Sequence, residues 1–353
     1  MTQITEKNVL AALSRVIDPE LKKDLVSLNM IQDIQISESE VVFTLVLTTP
    51  ACPLKNYLQK AAQDAVMALE GVSSVKVNVT AKVSGQHSQT EDKIVLPIKN
   101  SIAVSSGKGG VGKSTIAVNL AIALAQSGAK IGLLDADIYG PNIPTMMGVD
   151  SLPPVKDKKI MPAEAFGVKV ISIGFLVKEG QPLIWRGPLL HSTIRQFLVD
   201  VNWGDLDYLI IDMPPGTGDV QLSVAQNLNL TGGLVVTLPQ KVSTEDAYRG
   251  LEMFKKLNIP VIGVIENMSY LELEDGSHVD VFGNGGGKEL AEKAEVPFLG
   301  QIPLEPAVRE GGDNGIPIVI SNPTSPAAMV LNDIACTVAG KISQIVLQDQ
   351  DRS

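Results

Sequence analysis

The chemistry of this chain starts at residues 107–114, GKGGVGKS. Gly107, Gly112, Lys113 and Ser114 satisfy the spacing G-x-x-x-x-G-K-[ST] in full, with an apolar run before them and a helical pattern after. Glycines at such a turn let backbone N–H groups point inward at phosphate oxygens. A helix N-terminus adds its partial positive charge. Lys113 is expected on the β- and γ-phosphates of ATP and Ser114 on Mg²⁺, with Gly109, Gly110, Val111 and Thr115 completing the cradle. The loop also carries a second cation, Lys108, and its purpose is the question the motif raises.

Two acidic sites accompany the loop. LLDAD (133–137) ends a strand pattern, which puts Asp135 and Asp137 at the carboxyl edge of a sheet, where open α/β sheets bind their ligands. LIIDMPPGTGD puts Asp212 at the end of another apolar strand, the place for a water-mediated contact to Mg²⁺. The plain alternative for Asp135 is a helix cap, since strand ends often carry one.

These groups need a scaffold that ends several strands at one edge. From residue 98 onward strand and helix patterns alternate: SIAVSS, then STIAVNLAIALAQ closed by Gly128, then KIGLLDAD, DYLIID, GLVVTL, PVIGVIEN and PFLGQIP, with a closing helix over 326–347. The expectation is an α/β fold, a doubly wound and mostly parallel P-loop NTPase sheet. The chain is 44% hydrophobic but only 4% aromatic, so its cores are aliphatic, as buried parallel strands require. Residues 1–82 read as a small α+β domain before that sheet. NVLAALSRVI is a helix stopping before Asp18-Pro19, EVVFTLVLTT is a strand, CPLKNYLQKAAQDAVMALEG is a helix ended by Gly71, and VSSVKVNVTAKV is a second strand. Residues 83–97 read as a polar linker, and 98–348 as the ATPase domain.

The formal net charge is −10 and no Lys/Arg run interrupts it, which disfavours nucleic acid and anionic lipid as partners. With two cysteines far apart, Cys52 and Cys336, no disulfide framework or zinc spacing is present. His87, His191 and His278 stand alone. No apolar signal segment or long apolar run is read, so a cytoplasmic protein is expected.

With Lys108 beside the first glycine, GKGGVGKST resembles the deviant phosphate loop of the MinD/ParA/nitrogenase-iron-protein group of P-loop ATPases. In that group the extra lysine reaches across a homodimer to the partner's nucleotide. A cation supplied that way would stabilise transition-state charge in a slow ATP hydrolysis. DADIYGPNIPTMMG, WRGPLL, DMPPGTGD, ENMSY and FGNGGG together resemble the Mrp/ApbC branch of iron–sulfur cluster carriers. IDPELKKDLVSLNMI and LTTPACPLK resemble the small iron–sulfur-assembly domain found on many bacterial members. The resemblance implies that Asp137 orients the attacking water and that Asn267 contacts adenine, with QIPLEP (301–306) as the other wall. It also implies apo iron–sulfur proteins and cluster scaffold proteins as partners, and a cluster of the 4Fe-4S type as cargo.

One feature departs from that branch. Most members carry Cys-x-x-Cys just after ENMSY, and in register those positions are Leu273 and Gly276, neither able to ligate iron. Only Cys52 and Cys336 remain as thiol ligands. Cys52 lies in a Pro-Ala-Cys-Pro turn at a helix start, where the local field lowers a thiol pKa, and Cys336 in an apolar helical stretch that suits a core. The alternative is a dimeric regulatory or positioning ATPase of MinD/ParA type without a cluster. The short, non-basic C-terminus GKISQIVLQDQDRS speaks against membrane positioning.

Overall fold

The computed structural model describes residues 4–85, 97–152, 154–156, 158–176, 187–216, 218, 221, 222, 225 and 229–352. The described chain divides into two compact units: Met1–Ser84 with Ala339–Ser353, and Gly85–Val338. Most of the expected linker, together with His87, Trp185, Arg186 and Asp219, lies outside the described residues.

In the smaller unit, α1 (Glu6–Leu13) is followed by β1 (Ile31–Ser37), β2 (Glu40–Leu47), α2 (Lys55–Met67) and β3 (Ser74–Ala81). β2 is central, antiparallel to β1 and parallel to β3. Its alternation buries Val41, Phe43, Leu45 and Leu47 against Leu13, Leu58, Ala62 and Val66. α1 starts earlier than its apolar pattern because Thr5 caps it, and it stops at Leu13, short of Asp18. Asp18 instead accepts from the N–H groups of Glu20 and Leu21, turning the chain. β1 does not stand out in the sequence, since its buried and polar positions follow no clean alternation. The end of the last helix also belongs here: Lys23 Nζ lies 2.6 Å from Asp351 Oδ2.

The larger unit is built on an eight-stranded sheet in the order β13-β10-β9-β4-β8-β5-β7-β6. Its strands are β4 (Ile98–Ser106), β5 (Ile131–Asp135), β6 (Ala163–Ala165), β7 (Val168–Ser172), β8 (Leu206–Asp212), β9 (Gly232–Thr237), β10 (Val261–Glu266) and β13 (Phe298–Gln301). All neighbours pair parallel except β6, which runs antiparallel to β7 at the edge. β5 and β9 are buried at every residue, as strands covered on both faces must be. A small hairpin, β11 (Leu271–Glu272) with β12 (His278–Val279), stands apart from the sheet. The helices are α3 (Lys113–Gln126), α4 (Ile143–Met146), α5 (Gly187–Val199), α6 (Lys241–Lys256), α7 (Gly286–Ala294), α8 (Pro306–Asp313), α9 (Ile318–Ser321) and α10 (Pro326–Arg352).

This is the expected doubly wound α/β sheet preceded by a small α+β unit. The strand order reverses at β4, with β8 on one side and β9 on the other, so the carboxyl ends of β4, β5 and β8 open into one crevice. β6, β7 and α5 are additions to the sequence reading. α10 is longer than its apolar pattern and is long and apolar enough to cross a membrane by length and composition. Half of its most apolar stretch is buried, and Ala327, Ala328, Leu331, Ile334 and Val338 are core residues.

Candidate active site

The phosphate loop leaves β4 at Ser106 and enters α3 at Lys113. Gly112 caps that helix at φ +85°, a left-handed conformation that costs glycine little. Its missing side chain also matters, because a Cβ there would stand 2.2 Å from Asn267 Nδ2. Gly107 is demanded by packing: its Cβ would fall 2.2 Å from the Asp246 carbonyl carbon and 2.4 Å from Ala247 N, inside the backbone of α6. Gly109 and Gly110 face open space, which leaves a cradle for phosphate oxygens. Val111 is buried and anchors the loop. Ser106 Oγ donates to the Lys108 carbonyl at 2.9 Å, bracing the turn from below. Lys108 itself is part-exposed and has no ion pair among the described residues.

Four charged or polar groups converge at the end of the loop. Lys113 Nζ lies 2.6 Å from Asp212 Oδ1 and 3.3 Å from Asp137 Oδ2. Ser114 Oγ donates to Asp212 Oδ2 at 2.6 Å. Lys113 is 5% exposed and Asp212 0%, so water screens this cluster little. The next residue, Thr115, lies in the first turn of α3 and its carbonyl accepts from Asn119 Nδ2 at 2.9 Å. Sheet register explains the meeting. Asp135 on β5 sits directly beside Asp212 on β8, and the chain leaving Asp135 turns back over the lysine as far as Asp137.

Asp135 is fully buried and is more than a helix cap. Ser172 Oγ donates to its Oδ2 at 2.7 Å, and its carboxyl also receives the N–H groups of Asp137 (3.1 Å) and Ile143 (3.4 Å). It therefore fixes both ends of the segment 137–143, including the first N–H of α4. Burial, reinforced by the neighbouring Asp212 charge, pushes the Asp135 carboxyl up to about 8. Burial raises Asp212 as well, against the opposing pull of Lys113 and the hydrogen bonds from Lys113 and Ser114. Burial and the adjacent Asp212 charge thus favour the protonated form of the Asp135 carboxyl. The Ser172 partner was not read from the sequence. The signal for it was the apolar run VKVIS, a β-strand beside β5 ending in a hydroxyl.

Asn267 lies beyond β10, its amide Nδ2 donating to the Val111 carbonyl at 2.9 Å and its backbone N–H to Thr237 at 2.8 Å. It is thus tied to the phosphate loop, with Oδ1 left as an acceptor. QIPLEP runs beside it, held by Ile302 N–H to the Glu266 carbonyl and Leu304 N–H to the Tyr270 carbonyl. In that segment Glu305 Oε2 is buried with no hydrogen-bond partner among the described residues, an acceptor left for a donor such as an amino group.

The structure thus brings Gly107–Thr115, Asp137, Asp212 and Asn267 together. The Ser114 hydroxyl and Asp212 carboxylate form a hard-oxygen pair of the kind Mg²⁺ takes, so the residues present fit that ion. The two thiols are elsewhere: Cys52 packs half-buried on the small unit's core, and Cys336 sits half-buried on α10. Burial, with Asp333 adding to it, pushes the Cys336 thiol up. Among the described residues no three His, Cys, Asp or Glu side chains group as a metal site. Leu273 and Gly276 occupy the outer hairpin, and Leu273 is exposed.

Comparison with known proteins agrees with this geometry. Residues 97–339 match the family described as NUBPL iron-transfer P-loop NTPase, and residues 6–79 match the iron–sulfur cluster assembly protein family. The chain is 52% identical over 354 residues to the iron–sulfur cluster carrier protein of Synechocystis sp., covering 98% of this chain and 99% of that one. Among solved structures it is similar to a nucleotide-binding protein of Archaeoglobus fulgidus in complex with ADP, at 39% identity and TM-score 0.56, over 62% of this chain and 87% of that one. It is also similar to the cell division ATPase MinD of Pyrococcus furiosus, at 25% identity and TM-score 0.53, over 68% of this chain and 98% of that one. Phosphate loop, strand-end aspartates, small N-terminal unit and sequence identity converge: the chain belongs to the family of NUBPL-type iron-transfer P-loop NTPases.

Proposed function

We propose that this protein is an ATP-dependent carrier that binds an iron–sulfur cluster and passes it to apo-proteins. The observation that carries the reading is the joint placement of Lys113, Ser114, Asp137 and Asp212 at the end of a full phosphate loop, in a chain 52% identical to a protein named as a cluster carrier. The reaction is slow hydrolysis of the β–γ bond of ATP in a cytoplasmic homodimer. The N–H groups of Gly107–Thr115 hold the phosphates. Lys113 leaves Asp212 and binds the β- and γ-phosphates, Ser114 and Asp212 hold Mg²⁺ (Asp212 through water), and Asp137 orients the attacking water. Mg²⁺ held there would supply charge neutralisation at the phosphates. Lys108, without an ion pair among the described residues, serves the partner subunit's nucleotide, and Asn267 receives the adenine.

The cargo is a cluster of the 4Fe-4S type. A thiolate set for it needs more than one chain, because each chain holds only Cys52 and Cys336. Scaffold proteins load it and apo iron–sulfur proteins receive it. Anaerobic incubation of the full chain with iron and sulfide tests the reading, beside Cys52→Ala and Cys336→Ala. Visible thiolate-to-iron absorption and activation of an apo acceptor are expected from the wild type. Colourless protein that transfers nothing would instead favour a dimeric regulatory or positioning ATPase without a cluster. The observation behind that second reading is Leu273 and Gly276 where a cysteine pair would stand.

A further inference from the structure

Glu266 is the last residue of β10 and is 0% exposed, yet no cation meets it among the described residues. Both of its carboxyl oxygens are used. Oε2 accepts the Gly287 N–H at 2.6 Å, and Oε1 accepts Gln301 Nε2 at 2.8 Å. The first bond satisfies an otherwise orphan donor in the opening turn of α7. The second joins β10 to the first residue of QIPLEP, in register with Glu266 on the neighbouring strand.

The glycine run GNGGG now has a physical reason. A Cβ on Gly287 would sit 2.8 Å from Glu266 Cβ and 3.1 Å from its Oε2, and one on Gly286 would sit 2.0 Å from the Pro239 carbonyl oxygen. Bare backbone lets α7 close onto the Glu266 carboxyl. The residue that follows Glu266 is Asn267, whose own bonds run to Thr237 and Val111. Met268 after it is held at φ +50°, a strained value for a side chain of its size. The Asn267 amide is held by those bonds, and Glu266, its neighbour in the chain, sets the spacing of β10 to the QIPLEP wall through Gln301.

We propose that Glu266 is a positioning residue for base recognition, tying α7, Asn267 and Gln301 into one rigid frame that selects adenine over guanine. The frame leaves Asn267 Oδ1 as an acceptor. An acceptor suits the amino group of adenine and repels the carbonyl oxygen that guanine carries at the same place. The inference rests on the assignment of the base to Asn267.

The test measures binding of fluorescent ATP and GTP analogues, with Mg²⁺, to four full-length proteins. These are the wild type, Glu266→Gln, Gln301→Glu and the double swap Glu266→Gln/Gln301→Glu. Gln301→Glu alone sets two carboxyls against each other, whereas in Glu266→Gln the Gln301 amide can turn its oxygen to the new N–H₂, so that variant is the conservative control. The swap restores one donor and one acceptor at the pair while leaving an oxygen for Gly287. We expect the wild type to prefer ATP, Gln301→Glu to lose at least threefold of that preference, and Glu266→Gln and the swap to keep it. If the wild type prefers ATP and Gln301→Glu does so equally, or the swap fails to restore the preference, the Glu266 proposal falls while the Asn267 assignment stands. Equal binding of ATP and GTP by the wild type overturns the assignment itself, and the proposal with it.

Discussion

Lys113 Nζ lies 2.6 Å from Asp212 Oδ1. The loop lysine that is to bind phosphate and the strand-end aspartate that is to serve the metal thus hold each other. Ser114 occupies the other Asp212 oxygen, so all three groups are mutually satisfied. Burying them this way avoids unpaired charge, and under the proposed function nucleotide binding is an exchange of partners rather than the filling of a bare site.

Asp212→Asn breaks the exchange in a defined direction. Lys113 loses its main partner and is freed for phosphate, so affinity for ADP without Mg²⁺ should rise by severalfold. The gain in affinity that Mg²⁺ gives the wild type should shrink, and turnover should fall on the order of 100-fold or more. Fluorescent ADP titrations with EDTA and with Mg²⁺ check this. Weaker Mg²⁺-free binding in the variant would contradict the latch.

Lys108 predicts a separation of binding from catalysis. Lys108→Ala should keep ATP affinity within about threefold and lose on the order of 100-fold in turnover, the scale of a cation that acts on transition-state charge. Scattering with a non-hydrolysable ATP analogue should show a dimer in the wild type. A strict monomer at saturation would remove the in-trans role.

The Asp135 proton sets a pH dependence. Its carboxyl rises from 3.8 unfolded to about 8 folded, so between those values the folded state binds the extra proton. Stability of the nucleotide-free protein from this group is full below the lower value, falls as pH rises through the window, and is flat above about 8. Tm should therefore decline from pH 5 to 8 more steeply in the wild type than in Asp135→Asn, where a neutral amide replaces the protonated carboxyl. Parallel Tm profiles would refute the assignment.

Two loop glycines should respond oppositely to the same change. Gly107→Ala drives a methyl into the α6 backbone and should cost about 1–3 kcal/mol, as overpacking does. Gly109→Ala meets nothing within 4 Å and should leave Tm nearly unchanged. Any loss of nucleotide affinity in Gly109→Ala then reports on the phosphate cradle alone. Thermal melts of both variants decide it.

Much of the site was legible because its residues are fixed by local geometry. Gly112 and Lys113 follow from the strand–loop–helix turn, and Asp137 and Asp212 from strand ends whose apolar runs are continuous. β6 was missed because three residues are too few for a period to show, and β7 because Lys169 breaks its apolar run VKVIS. The strand ends were visible, but which strands are neighbours was not.

The sequence alone determined that a phosphate loop, two strand-end aspartates and a strand–helix alternation coexist, because each depends on residues a few positions apart. It also determined that Leu273 and Gly276 supply no thiol. Only the tertiary structure decided that Asp135 stands buried beside Asp212 with its carboxyl pushed up, that Lys113 is latched, and that Glu266 binds α7 and Gln301 together. Those relations join groups 21 to 99 residues apart in the chain. Distances of that kind are set by strand order and burial, which no local pattern encodes.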